Sequence, residues 1–429
     1  MKPRILAIFS AIILASSFLP SCASEQREVQ KAVLDNGLTL LVQEVKGFDI
    51  ASMVLLVKLP CSLEDEHNLG IRNFVHQMLL KGTEKRSAVE IASQVEDIGA
   101  TLTPGVTGDY AMLTSSVLNE FSGEILAIMA DVTFNATFPE EEVGRARATL
   151  IQQASRQRII WGEIIRLFTQ THFASAYSYP PEGRPQTLAK INRQDLVDFY
   201  TRYYQPSNMI LAVVGDLDSA EVRGAVEEVF GKFSSSPVSI PEVIEEEHTS
   251  IKEAEEQRWV ASAALAIGYS VPTLRDQLYP QVLFLQSYLG EKIFDQIREE
   301  RGWSYAAHVT YLEFANSGCL VAFCDLNKKE NLDQARQVIL GVIRGVKEGI
   351  SEEDMEQHKT AVLGKIARGG QTSWEKAPQL VWCELYGLPY DFDDELRGKI
   401  EELTCEDIES VADKYFKDNY TYVAIIPLW

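Results

Sequence analysis

The chain contains one segment twice, near the end of each half. Residues 191–215, INRQDLVDFYTRYYQPSNMILAVVG, align without gaps on residues 403–427, LTCEDIESVADKYFKDNYTYVAIIP, at an offset of 212. Both copies place an acid near the start of an amphipathic stretch and finish in a β-branched run that contains Ala212 or Ala424. This order predicts a helix, a turn and a strand in each copy. A period of this length predicts two similar domains in the 429-residue chain.

The composition between the repeats indicates where the two domains join. Residues 234–257 are rich in Ser, Pro and Glu, which is typical of a linker. We therefore expect an N-terminal domain over residues 28–233 and a C-terminal domain over residues 258–429. Residues 1–22 precede both domains and have the composition of a processing signal.

Helical and strand patterns occur in both halves but do not alternate strictly. The clearest signals are strands at 37–43 and 305–311 and helices at 88–98, 276–289 and 352–366. This mixture predicts an α+β fold in which each domain is a mostly antiparallel sheet backed by helices. The helix at 276–289 occupies roughly the place in the second half that residues 70–82 occupy in the first.

The charge of the chain excludes one class of partner. The sequence has 62 acidic and 40 basic residues, for a net charge of −22, and 46% hydrophobic residues. Those proportions are typical of a soluble globular protein. Nucleic-acid binding requires basic patches that contact phosphates, so we expect no nucleic-acid partner.

The first residues resemble a secretory leader. Lys2 and Arg4 precede a short apolar run, and small residues and Cys22 follow it. The sequence Leu-Pro-Ser-Cys ending at Cys22 resembles a bacterial lipobox, which favours lipidation of Cys22 and a lipid anchor as the only membrane contact. The alternative is ordinary signal cleavage just after Ala23. Either interpretation predicts export, to the periplasm or the membrane surface of a bacterial envelope.

The sequence GIRNFVHQMLLKGT, residues 70–83, has the spacing of a helical metal motif. Asn73, His76 and Gln77 stand at i, i+3 and i+4, so on a helix we expect them to share one face and to converge. Zinc prefers imidazole, thiolate or carboxylate ligands, whereas Asn and Gln offer only neutral carbonyl oxygens. His76 alone does not make a site, and we interpret it as a hydrogen-bonded histidine. The sequence therefore predicts no metal at these positions.

The same segment resembles the pitrilysin/insulinase-like metallopeptidase superfamily, whose inverted zinc motif is His-x-x-Glu-His on a helix. The flanking Gly70, Met78 and Gly82 match, and so do LDNGLTLLVQE near residue 34 and YGLPYD near residue 386. The resemblance implies zinc ligands at positions 73 and 77 and a catalytic base at position 76.

The resemblance also implies a third zinc ligand, a Glu on a later helix, and Gln153 falls at that position. No carboxylate lies between Glu142 and Glu163 to replace it. The positions of three ligands and one base, Asn73, His76, Gln77 and Gln153, have therefore all changed. We expect this chain to bind no zinc and to hold no catalytic residues of its own.

A second matching segment, IREERGWSYAAHV from residue 297, keeps its chemistry. The resemblance implies that Arg298 and Tyr305, seven residues apart, hold a substrate carbonyl and the oxyanion that develops on it. The resemblance also implies that a subunit of this size carries the α/β-roll domain twice and that two subunits close as a clamshell around a peptide. The Arg/Tyr pair of one subunit then reaches the zinc site of the other.

Three hypotheses for function follow. The first is a non-catalytic, substrate-binding subunit of an exported heterodimeric zinc peptidase, which supplies Arg298 and Tyr305 to a paralogous subunit with an intact zinc motif. The second is a peptidase-like binding or scaffold protein with no proteolytic role. The third, a self-sufficient metallopeptidase with substitute ligands, is disfavoured by the four replaced positions.

Overall fold

The computed structural model describes residues 28–155, 159–245 and 248–428, so the leader 1–22 and Cys22 lie outside the described residues. In the first half the elements are β1 (Gln30–Val33), β2 (Thr39–Glu44), β3 (Ile50–Val57), α1 (Ile71–Met78), α2 (Ala88–Asp97), β4 (Thr101–Val106), β5 (Ala111–Leu118), α3 (Ser122–Phe134), α4 (Glu140–Ser155), α5 (Ile160–His172), α6 (Pro185–Leu188), α7 (Arg193–Tyr203), β6 (Met209–Gly215) and α8 (Ser219–Phe230).

The second half repeats this order of elements with minor differences. Its elements are β7 (Lys252–Arg258), β8 (Ala263–Val271), α9 (Tyr279–Phe294), β9 (Ala307–Phe314), β10 (Ser317–Leu326), α10 (Leu332–Gly345), α11 (Glu352–Arg368), α12 (Ser373–Tyr386), α13 (Phe392–Glu401), α14 (Cys405–Tyr415) and β11 (Thr421–Pro427). No helix within the described part of the chain is both long and apolar enough to span a membrane.

The two sheets confirm both the duplication and the predicted fold class. The first has the strand order β1-β2-β6-β3-β5-β4, and the second has the order β7-β11-β8-β10-β9. In each sheet one neighbouring pair is parallel, β2 with β6 and β7 with β11, and the other pairs are antiparallel. The helices of the repeated segment, α7 and α14, are offset by the 212 residues that the sequence gives.

The two halves exchange one helix each. One face of the first sheet packs on helices of its own half, and the opposite face packs on α12 through Ala377, Leu380 and Val381. Correspondingly, α5 packs on the second sheet through Leu167 and Phe168. Each sheet thus buries much of its second face against a helix from the other half, which joins the halves in one structure.

The structure corrects the predicted linker. Residues 234–257 do not all connect the domains, because Lys252–Arg258 forms β7, so the second half begins at Lys252 rather than at residue 258. This strand lies at the edge of its sheet, and its residues alternate between partly buried and exposed. Edge strands carry charged side chains, and the many Glu residues of β7 therefore gave it the composition of a linker.

Candidate functional site

A buried ion pair anchors the start of α1. Gly70 precedes the helix with φ of 95°, a conformation that favours glycine. The Glu64 carboxylate accepts hydrogen bonds from the backbone N–H groups of Gly70 and Arg72 and lies 3.1 Å from Nε of Arg72. The guanidinium also donates to the carbonyl oxygens of Leu59 and Thr107. These contacts fix the orientation in which α1 presents its side chains.

His76 points into the core of the first half. Its side chain is fully buried, and Nε2 lies 2.8 Å from the carbonyl oxygen of Met112. Because a carbonyl oxygen only accepts, Nε2 carries the proton, and Nδ1 accepts from the hydroxyl of Tyr204 at 2.9 Å. Burial lowers the pKa of His76 to about 4, so the ring is neutral at pH 7. The interpretation of His76 as a hydrogen-bonded histidine is confirmed.

The three amide positions have a different environment. Asn73 and Gln77 are partly exposed on α1, and Gln153 is exposed on α4, the helix that packs against α1. The prediction that residues 73, 76 and 77 converge is wrong for His76. Its ring is held on the core side by two hydrogen bonds, while its neighbours at 73 and 77 remain accessible to solvent.

The side chains at these positions do not fit a catalytic zinc ion. The accessible groups are neutral amides, and both ring nitrogens of His76 are already engaged with protein partners. Within residues 28–155, 159–245 and 248–428, no three His, Cys, Asp or Glu side chains come together as a metal site would require. No chemical step that depends on zinc can be assigned to this chain's own residues.

Arg298 and Tyr305 lie together at the surface. Arg298 belongs to a π-helical turn, Asp295–Glu299, that extends α9, and its guanidinium lies over the ring of Phe294 at 4.9 Å. Nη1 of Arg298 donates to the backbone carbonyl oxygen of Tyr305 at 3.1 Å. Within the described part of the chain Nη2 has no hydrogen-bond acceptor, and Tyr305 is 81% exposed. The guanidinium therefore lies against the Tyr305 backbone, and both the guanidinium and the phenol can be reached from solvent.

The loop that carries Tyr305 is fixed at both ends. Gly302 closes the helical turn with φ of 63°, and its N–H donates to the carbonyl oxygen of Arg298. Asp325 accepts hydrogen bonds from the Ser304 hydroxyl at 2.6 Å and from the Ala306 N–H at 3.1 Å. The predicted strand start at Tyr305 is therefore wrong by two residues, since this turn occupies the backbone until β9 begins.

Two features of the surroundings escaped the sequence analysis. Asp109 accepts hydrogen bonds from the hydroxyls of Tyr177 and Tyr386 and from the N–H of Ala315, and so connects the two halves. No local pattern in the sequence could have shown contacts between such distant positions.

The second feature is the pair Trp374 and Trp382 on α12. Their spacing, i and i+8, indicates that both tryptophans lie on one exposed face of the helix.

Two family models match the chain. The model described as "Insulinase (Peptidase family M16)" matches residues 39–170, and the one described as "Peptidase M16 inactive domain" matches residues 190–362. The chain belongs to the M16 peptidase family. The inactive-domain model begins after Gln153 and therefore covers mainly the second half of the M16 fold. Whether the altered positions on α1 can bind zinc must be judged from the chemistry of their side chains.

Known M16 proteins agree in sequence and fold. An uncharacterized zinc protease of Bacillus subtilis is 24% identical over 370 residues, which are 83% of this chain and 88% of that protein. A protease from Helicobacter pylori has a TM-score of 0.87 at 18% identity, covering 93% of this chain and 99% of that chain. A peptidase M16 inactive domain from Pseudomonas fluorescens has a TM-score of 0.86 at 18% identity, covering 94% and 98%. These similarities establish the two-domain M16 fold.

Proposed function

We propose that this chain is the non-catalytic, substrate-binding subunit of a zinc peptidase built from two different subunits. One observation carries the proposal: the chain presents Arg298 and Tyr305 together at its surface, while amides occupy the accessible ligand positions on α1 and α4. A peptidase needs both a zinc site and groups that hold the substrate carbonyl. This chain offers the second and lacks the side chains for the first.

The role of each residue follows from its free atoms. Nη2 of Arg298 and the hydroxyl of Tyr305 act as hydrogen-bond donors to a peptide carbonyl oxygen and to the negative charge that develops on it. The backbone that carries the Tyr305 phenol is set in advance, because Nη1 already binds the Tyr305 carbonyl and Asp325 fixes the loop. Donors that are positioned before the reaction stabilise a transition state at a lower reorganisation cost.

The proposal implies a partner and a location. The partner is a paralogous subunit with an intact zinc motif, which contributes the zinc ion and the base, while this chain binds no cofactor. The leader 1–22 would direct this chain out of the cytoplasm, so the partner is expected there too, and a lipid on Cys22 would hold the chain at a membrane surface. The acidic net charge of −22 is compatible with basic peptides as substrates.

The experiment is peptide hydrolysis by the mature chain, by the paralogue with the intact motif from the same cell, and by their mixture. We expect activity above the sum of the separate proteins only in the mixture, and its loss with Arg298→Ala or Tyr305→Phe in this chain. Arg223→Ala and Tyr415→Phe, on α8 and α14, are matched controls that should leave the activity unchanged.

Two outcomes would overturn the proposal. If no complex forms and the mixture gains no activity, the chain is a binding or scaffold protein without a proteolytic role. If the chain alone hydrolyses peptides and a zinc chelator abolishes that activity, it is a self-sufficient metallopeptidase.

A further inference from the structure

The second half contains an open cleft of about 660 Å³ at a position equivalent to the α1 site of the first half. Its walls come from α9, α11, α12 and α13 and from β9. Under the internal repeat α9 corresponds to α1, α11 to α4 and β9 to β4, and Lys365 takes the place of Gln153. The second half therefore has a cleft at the counterpart of the α1 site, and the proposed role of Arg298 and Tyr305 does not use it.

One wall of the cleft is an exposed aromatic face of α12. The inner face of this helix is buried on the first sheet, whereas Trp374, Pro378 and Trp382 stand at i, i+4 and i+8 and line the cleft. Trp374 is 47% exposed and Trp382 is 40% exposed. Tyr279 and Phe392 lie opposite, with ring centroids 6.2 Å apart. Exposed aromatic clusters of this size in a soluble chain mark binding surfaces.

A carboxylate lies at the aromatic wall without a cationic partner. The side-chain carboxylate of Glu313, on β9, forms no hydrogen bond or ion pair with any residue that the structure describes. Its side chain opens into the cleft, yet the protein crowded around it, with a smaller contribution from Asp109, raises the pKa of Glu313 to about 7. Glu313 lines the same cleft as Tyr279 and Tyr386, and its negative charge contributes to the raised pKa values of both phenols.

The other charged groups of the cleft leave a net negative charge. Glu375 is occupied in the N-terminal cap of α12, where it binds Thr372, and Asp393 lies near Lys376. Lys365 is the cleft's cationic side chain among the residues described. Because Lys376 lies near Asp393, the carboxylates of Glu313 and Glu375 remain against one ammonium, that of Lys365. This excess of negative charge favours a cationic ligand, and indole and phenol rings attract the same kind of group by cation–π interaction.

We propose that this cleft binds a Lys or Arg side chain of a peptide, with Glu313 as the ion-pair partner and Trp374 and Trp382 as the aromatic walls. The inference deepens the proposed function, since it names basic peptides as the class of ligand. The inference depends on the proposed function in one respect, namely that the ligand is a peptide. Binding is measured on this chain alone, so failure here is distinct from failure to form an active complex with a partner.

The test is isothermal titration calorimetry of the mature chain with the peptide acetyl-Ala-Leu-Arg-Leu-Ala-amide. The matched probe replaces Arg by citrulline, which keeps the shape and removes the charge. We expect the arginine peptide to bind at least about tenfold more tightly than the citrulline peptide. Glu313→Gln should remove that preference, Trp374→Leu should weaken binding of the arginine peptide, and Glu330→Gln, a matched charge change outside the cleft, should do neither.

The pH dependence adds a second readout. As the pH falls through about 7, Glu313 gains a proton, so the preference for the arginine peptide should decline between about pH 8 and pH 6. The titratable groups that interact with Glu313 are Asp109, Tyr110, Tyr279, Tyr311 and Tyr386, and the cleft is also lined by Lys365, Glu375 and Asp393.

Several results would overturn the proposal. One is equal affinity of the folded chain for the arginine and citrulline peptides. Another is a failure of the folded wild-type chain to bind the arginine peptide. A third is an unchanged preference in Glu313→Gln. Self-association in sedimentation experiments that Trp374→Leu abolishes, without a response to either peptide, would show that a second copy of the chain fills the cleft instead.

Discussion

The guanidinium of Arg298 holds the backbone of Tyr305: Nη1 donates to the Tyr305 carbonyl oxygen at 3.1 Å, and the Tyr305 phenol is exposed to solvent. One side chain thus both positions its neighbour and keeps a second nitrogen, Nη2, for another acceptor. The two residues form one unit, although each belongs to a different turn of the chain.

This relationship predicts unequal effects of two substitutions in the reconstituted peptidase. Tyr305→Phe removes one donor and should lower kcat/KM on the order of 10²-fold, mainly through kcat. Arg298→Ala removes a donor and also releases the Tyr305 backbone, so its loss should be larger. Steady-state kinetics of the mixture would check both values. A loss confined to KM would contradict the assignment, because it would indicate binding of the ground state alone.

The buried ion pair at the start of α1 should dominate the local stability. Glu64→Gln leaves the Arg72 charge buried without its partner and should lower the free energy of unfolding by about 3–5 kcal/mol. Urea denaturation would measure this change. The matched substitution Glu227→Gln breaks an exposed pair with Arg223 and should cost about 0.5 kcal/mol or less. Equal effects of the two substitutions would refute this account of α1.

His76 should make the protein less stable in acid. Its folded pKa of about 4 lies below the ordinary value of 6.5, so the unfolded chain binds a proton first as the pH falls. The contribution is fully present above pH 6.5 and is lost between pH 6.5 and pH 4. Between about pH 7.5 and pH 5 the free energy of unfolding should fall by about 2 kcal/mol on this account.

Urea titrations of His76→Gln at the same two pH values would isolate this contribution. The variant should show a smaller decrease, whereas His67→Gln, at an exposed site, should match the wild type. Part of the decrease should persist in His76→Gln, since burial also lowers the pKa of His172 to about 3. An undiminished decrease in His76→Gln would contradict the assignment.

The exchange of α5 and α12 predicts that neither half is stable alone. A chain of residues 28–233 would lack α12 and expose the face of the first sheet that contains Leu41, Val54 and Leu56. We expect this fragment to aggregate or to bind a hydrophobic dye, as sedimentation and fluorescence would show. A monomeric fragment with cooperative unfolding would contradict this expectation.

The duplicated architecture could be predicted from the sequence because the periodic patterns that indicate its helices and strands are local. The 191–215 and 403–427 segments carry helix and strand periodicities that do not depend on distant residues. The predicted ends of helices and strands were less accurate where a side-chain hydrogen bond stabilises the adjoining turn. The helix expected from Asp276 begins at Tyr279, because the Asp276 carboxylate binds the N–H of Leu278 in the preceding turn.

The sequence was enough to predict the chemistry of the candidate site, but not the orientations of its side chains. The residue types at positions 73, 77 and 153, all amides, are enough to show that these side chains are poor zinc ligands. The inward orientation of His76 depends on Met112 and Tyr204, which are distant in sequence. The same limit applies to Glu313, since the groups that interact with it, among them Asp109 and Tyr386, come from both halves.

The most direct measurement of the central claim is the zinc content of the mature chain after equilibration with zinc, together with peptide hydrolysis by the same sample. A triple variant, Asn73→His with Gln77→His and Gln153→Glu, restores the three ligand types and serves as the comparison. We predict well below one zinc per wild-type chain and no hydrolysis, with zinc binding gained in the variant. One zinc per wild-type chain, with hydrolysis that a chelator removes, would contradict the account.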